Sequence, residues 1–190
     1  MFAVRPAMFA RAMRVLLLAA MASSGSLACA QAPVAAREGA IKAAFLFKFA
    51  AFVDWPAGTL ARPDDPVVIG VAGSDSIAAD LQQIAAARPG DARPITVRRL
   101  PDANGWAGIH VLFIGAGREA RVRDVAAQAR GPVLVVTEQD DGLRLGGALN
   151  FVVDEGRVRF TASPAAAQDR GLRLSSRLLA LARSVEGRNR

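Results

Sequence analysis

Two glycine strings, one histidine and a few acid pairs are the residues of this chain whose types and spacing could do chemistry. Gly115-Ala116-Gly117-Arg118-Glu119-Ala120 follows an apolar run and opens a helical stretch, and Glu138 lies at the end of the next apolar run. In a dinucleotide fingerprint that order lets the backbone approach a pyrophosphate and puts an acid on a ribose hydroxyl. A second mononucleotide half is missing, however, and the same glycines serve a tight strand-to-helix turn, which is the preferred reading. Gly70-Val71-Ala72-Gly73-Ser74-Asp75 lacks the Gly-Lys-Ser/Thr ending of a phosphate loop, so its amides could hold at most a small anion. His110 is the only histidine and has no Cys, His or paired acid at ligand spacing, which fits a packed or surface side chain rather than a metal ligand. No G-x-S-x-G elbow offers a serine nucleophile. Asp64-Asp65 and Asp140-Asp141 are neighbours whose side chains point apart, as in solvated turns. No residue is assigned to catalysis, a cofactor or a metal.

The elements that would position these groups begin after a leader. Arg5, Arg11 and Arg14 precede the apolar stretch Val15 to Ala22 and a small-residue segment ending Ala28-Cys29-Ala30, the pattern of a secretory signal peptide cleaved after an A-x-A site. The stretch is far shorter than the ~20 residues a membrane span needs. Cys29 has leucine two residues before it instead of the three a lipobox requires, so the mature protein is expected to start at Gln31 without a lipid. Residues 1–30 are read as the leader and 31–190 as a single domain with no stable membrane insertion.

Export changes the composition. Loss of the three leader arginines lowers the formal charge from +7 to +4, and the remaining arginines are scattered without interleaved aromatics, which argues against a nucleic-acid partner. The one cysteine leaves with the leader, so the mature chain has no disulfide, thiol nucleophile or redox control of its own.

Hydrophobic periodicity predicts an α/β fold, a mainly parallel sheet flanked by helices and closed by an antiparallel C-terminal hairpin. A first helix from about Arg37 to Val53 carries Ile41, Phe45, Phe49 and Phe52 on one stripe, expected to be core, and Asp54-Trp55-Pro56 ends it. Strands at Val67 to Val71, Ile95 to Leu100, His110 to Ile114 and Val133 to Val136 alternate with helices around Ile77 to Ile84 and Glu119 to Ala129. The link Pro101 to Gly108 is too short for an ordinary parallel crossover, which leaves either a single helical turn or an altered strand order. Ala148 to Val153 and Arg157 to Thr161 form the hairpin around Asp154-Glu155-Gly156, a short helix runs from Pro164 to Gly171, and Ser175 or Ser176 caps a final helix reaching Val185.

The helix Ile41 to Phe49 leading to Phe52-Val53-Asp54-Trp55-Pro56, the hairpin from Gly146-Gly147 to Phe160, and Gly171-Leu172-Arg173-Leu174-Ser175-Ser176-Arg177 together resemble the YfiR family over almost the whole mature chain. Phe45, Phe49, Trp55, Pro56, Gly147, Phe160 and Gly171 carry that structural signature. The resemblance implies a periplasmic α/β protein, often dimeric, that binds the periplasmic sensor region of an inner-membrane diguanylate cyclase and holds it inactive, lowering cyclic di-GMP signalling and surface attachment. Ser163 stands where members commonly have Asn.

A partner-binding face is expected around the hairpin, where Phe151 and Val153 would form an apolar strand face next to a basic rim of Arg170, Arg173 and Arg177. The alternative function is a periplasmic small-ligand-binding protein, which would need a concave pocket with convergent polar groups at the ends of the parallel strands.

Overall fold

Helix α1 (Val34–Phe49) runs on through a 3-10 turn (Ala50–Phe52) into the two-residue strand β1 (Val53–Asp54), so helical geometry ends before Trp55-Pro56. The computed structural model describes residues 34–87, 93–100, 106–117 and 119–187; the leader with Cys29, residues 101–105 of the short link, and Arg118 lie outside them. The buried side of α1 is Ala43, Leu46, Phe49 and Ala50, while Ile41 is 40 % exposed. Of the expected stripe, Phe49 is buried and Phe45 and Phe52 pack against the core, and only Ile41 departs from it. Small Ala43 is fully buried where α1 packs, and close packing, not side-chain hydrophobicity alone, decides which residues turn inward.

The chain continues through β2 (Val67–Ala72), α2 (Asp75–Ala86), β3 (Ile95–Arg99), β4 (Val111–Ile114), α3 (Glu119–Gln128), β5 (Leu134–Thr137), β6 (Leu149–Asp154) and β7 (Arg157–Ala162). It ends with α4 (Pro164–Gln168), β8 (Arg173–Leu174), α5 (Ser176–Leu181) and β9 (Ser184–Val185). Seven strands form one sheet in the order β3-β2-β4-β5-β6-β7-β9; β3, β2, β4, β5 and β6 are parallel, β7 is antiparallel to β6, and β9 runs parallel to β7. The architecture is α/β, with β1 and β8 pairing as a small antiparallel sheet beside it.

Alternation along the strands divides the core in two. Val67, Ile69 and Val71 face a cluster shared with α1 and α2, and Val68, Gly70 and Ala72 turn to the other side, where Val122, Val125 and Ala126 of α3 pack. Five phenylalanines bind α1 to the sheet. Phe49 lies 5.7 Å from Phe151 and 5.0 Å from Phe160 between ring centroids, Phe45 lies 5.8 Å from Phe160, and Phe113 lies 6.1 Å from Phe151.

The short link resolves into an altered strand order. β3 and β4 are not neighbours; both pair with β2, one on each side, and Leu100 and Ile109, on either side of residues 101–105, join the core cluster on the α3 side. Leu100 and Ile109 meet over Gly70, where an added Cβ would sit 2.8 Å from each of their terminal methyls. Glycine at this position leaves room for those two side chains over β2.

Two further boundaries differ from expectation. The hairpin loop is only Glu155-Gly156, both at positive φ, because Asp154 pairs with Arg157. The final helix stops at Leu181, and Ser184-Val185 becomes a strand outside the hairpin, because the free edge of β7 supplies partners: Arg183 N–H donates to the Phe160 carbonyl and Glu186 N–H to that of Ala162. Propensity alone cannot reveal such a tertiary partner.

Candidate functional site

The sheet changes winding direction between β2 and β4, the place where open α/β sheets ordinarily bind ligands. Both glycine strings meet there. A Cβ on Gly115 would lie 2.9 Å from the Gly73 carbonyl oxygen, so the two turns are in contact and glycine is needed at Gly115 for that approach. The amides that would face a phosphate are already engaged. Ala116 N–H donates to Glu138 Oε1 at 3.1 Å, and Gly117 N–H donates to Gln139 Oε1 at 3.3 Å. Glu138, which the fingerprint reading would place on a ribose, thus fills the anion position itself.

The other carboxylate oxygen of Glu138 accepts from Lys42 Nζ at 2.7 Å, and Lys42 also donates to Glu38 Oε1 at 2.5 Å. Burial opposes the charge on Lys42, but hydrogen bonds to Glu138 and Glu38 outweigh it and raise the ammonium pKa. This triad ties α1 to the C-terminal end of the parallel strands. Beside it is a hollow of about 690 Å³ that also reaches Asp140, Asp141, Val153 and Arg183. Its charges are largely paired: Arg183 bridges to Asp154 at 3.0 Å as Lys42 does to the glutamates. Among the described residues no group of three or more His, Cys, Asp or Glu is placed to hold a metal, and no buried side-chain nitrogen or oxygen lacks a hydrogen-bond partner.

His110 is packed against Trp55, and its Nδ1 accepts the Val68 N–H at 3.0 Å. Behind Glu138, the buried hydroxyl of Thr137 donates to Asn150 Oδ1 at 2.8 Å. Gly147 is required beside them, since its Cβ would stand 2.7 Å from Thr137 Oγ1 and 2.9 Å from the Gly142 carbonyl oxygen. Gly171, at φ +73°, closes α4: its N–H donates to the Gln168 carbonyl and that of Leu172 to the Ala167 carbonyl, the Schellman arrangement. Pro56 lies over Gly171, 3.4 Å from where a Cβ would be.

The residues expected to form one face are separated. Phe151 is buried in the phenylalanine cluster, whereas Val153 is 58 % exposed near the tip of the hairpin. β5 ends at Thr137, opposite Asn150, so Val153 extends past the C-terminal end of the parallel strands. The three arginines lie toward the other end. Arg170 caps α3, its guanidinium donating to the carbonyls of Ala129 at 2.5 Å and Ala126 at 2.9 Å; burial lowers its pKa and Asp169 opposes that. Arg173 is exposed on β8 opposite Asp54, and Arg177 is exposed on the first turn of α5.

At this second end the surface is concave. A groove of about 600 Å³ runs along the last turn of α1 and the loop after it, lined by Phe47, Phe52, Trp55 and Leu60, with Val67 and Ile95 at its floor. The four lining side chains are half-buried. Lys48 and Arg93 stand at its margin, and Arg93 is held by donating to the carbonyls of Arg62 and Asp65, each at 2.9 Å. On the other side of the Pro56–Thr59 loop lies a wider depression of about 890 Å³ with Arg130 and Arg170 in its wall. Sequence reading missed the groove because its walls come from segments around residues 47–60, 67 and 93–95 that only the fold brings together.

No helix among the described residues is long and apolar enough to cross a membrane. Residues 39–183 match the profile of a family described as YfiR/HmsC-like. No curated protein matches the chain.

Proposed function

The chain belongs to the YfiR/HmsC-like family, and from that premise we propose that it is an exported, periplasmic regulator which binds the periplasmic region of an inner-membrane diguanylate cyclase and holds the enzyme inactive. The observation that carries this reading is the extent of the family match, which takes in every element from within α1 to the end of α5. The protein acts by binding and not by catalysis. Support comes from the crevice at the change of winding, where Glu138 and Gln139 already engage the amides that a nucleotide would need. The small-ligand alternative is less well supported, because the polar groups converging on the strand ends bond to one another. The domain is residues 31–190, following a cleaved leader.

Two measurements test the proposal. Cells lacking the gene are expected to hold more cyclic di-GMP, and the protein exported from the full-length gene is expected to bind the purified periplasmic region of at least one membrane diguanylate cyclase of the same cell. An unchanged nucleotide level together with no binding to any of those regions overturns it.

A further inference from the structure

We infer that the groove beside Trp55 is the docking site for an acidic, apolar-anchored segment of the cyclase's periplasmic region; the inference rests on the regulatory reading above and adds where and what the protein grips. The groove is concave and about 600 Å³ in volume, within the range that encloses a few side chains. Phe47, Phe52, Trp55 and Leu60 offer half-buried apolar faces that are already fixed by packing against the main core, so little order is lost when they are covered. A concave wall of this kind suits inserted side chains better than a flat bilayer surface.

The margin decides the charge of the occupant. Lys48 projects from the last turn of α1, and Arg93 is fixed by two carbonyls, with the Asp65 carboxylate, itself paired to Arg62, within electrostatic reach. Among the described lining residues Asp54 is the only carboxylate, and Arg173 stands opposite it across the β1–β8 ladder. The balance at the groove is positive, so a segment bearing Asp or Glu beside its apolar anchors gains from both the floor and the rim. At the hairpin tip at the opposite end, Asp154 and Glu155 follow Val153 and are offset by Arg157 and Arg183, so no positive excess favours such a segment there.

The test uses the exported protein and, as probe, the purified periplasmic region of the cyclase that binds it. Ala51→Trp fills the groove from an exposed position, Lys48→Glu reverses the rim, and Val153→Asp alters the far end. The first two are each expected to weaken binding at least tenfold with melting temperatures near that of the wild type, and raised salt is expected to weaken wild-type binding as well. Val153→Asp should bind like wild type. If both groove variants bind like wild type, the regulatory reading survives and the groove is not where the partner sits. If instead they change only the self-association of the protein in light scattering, the groove belongs to a second copy and the inference is overturned. Absence of binding by the wild type to any cyclase region overturns both readings together.

Discussion

Trp55 and His110 meet edge to face, ring centroids 5.8 Å apart and planes at 87°, so the residue that follows β1 rests on the one that leads into β4. Burial lowers the His110 pKa below 6.5 and Arg93 adds to this, while a hydrogen bond to the Thr59 backbone and the charge of Asp65 pull the other way. The folded state therefore holds the neutral ring, whose bare Nδ1 accepts the Val68 N–H. As pH falls below 6.5 the unfolded chain takes up the proton first, so stability is complete above that value and declines on acidification toward the folded pKa. His110→Asn, which keeps an acceptor near Nδ1 but does not titrate, is expected to flatten the loss of melting temperature between neutral and mildly acidic pH. Parallel curves for the two proteins would refute this.

Lys42 and Glu138 give the opposite pH signature. Their side chains are only 12 % and 14 % exposed, so removal of one partner strands a largely buried charge. Lys42→Met is expected to destabilise on the order of 2–3 kcal/mol, somewhat below a fully buried pair, and the double variant Lys42→Met/Glu138→Gln to recover part of that in urea denaturation. With the Lys42 pKa raised above 10.5, its contribution is complete at lower pH and disappears as pH rises through the folded value. Wild type should therefore lose more stability than the Met variant on going to strongly alkaline pH.

Features whose physics is local could be read from the sequence. Ser74 and Ser175 each cap a helix as their positions suggest, accepting from the N–H three residues on at 3.4 and 3.2 Å; Ser163 caps α4 in the same way at 3.4 Å, which its sequence reading did not include. The four apolar strand segments of the parallel sheet lie within a residue or two of where alternation put them. What escaped depends on long-range neighbours. Ile41 is more hydrophobic than Ala43, yet Ala43 is buried in the core and Ile41 is exposed. Val185 follows a leucine-rich helix in sequence but joins a strand because β7 has a free edge. The acidity of Glu138 was visible, but not that Ala116 and Lys42 would both reach it.

The two-residue turn of the β6–β7 hairpin holds a non-glycine residue in the left-handed region. Glu155 has φ 49° and Gly156 φ 71°, the pair of positive values that a type I′ turn demands. A left-handed residue with an ordinary side chain costs about 1 kcal/mol or more, and Asn tolerates it better. Glu155→Asn should raise the melting temperature slightly, and Gly156→Ala should lower it; the reverse order in thermal denaturation would contradict the turn assignment.

Phe49 and Trp55 lie a few residues apart and should separate folding from binding. The Phe49 ring is 1 % exposed and within 6 Å of Phe45, Phe151 and Phe160, so Phe49→Ala opens a cavity in the main core and should cost about 3–5 kcal/mol. Trp55 is half-buried, with one side on His110 and another forming the wall of the groove, so Trp55→Ala removes less buried surface and should cost about 2 kcal/mol or less. Its effect on capture of the cyclase region is expected to be the larger of the two once each variant is compared under conditions where it is fully folded. Phe49→Ala acts through the amount of folded protein, and its binding per folded molecule should match wild type. Chemical denaturation paired with binding titrations measures both quantities. If Trp55→Ala costs as much stability as Phe49→Ala and leaves binding per folded molecule intact, Trp55 belongs to the core alone and contributes nothing to the grip on the partner.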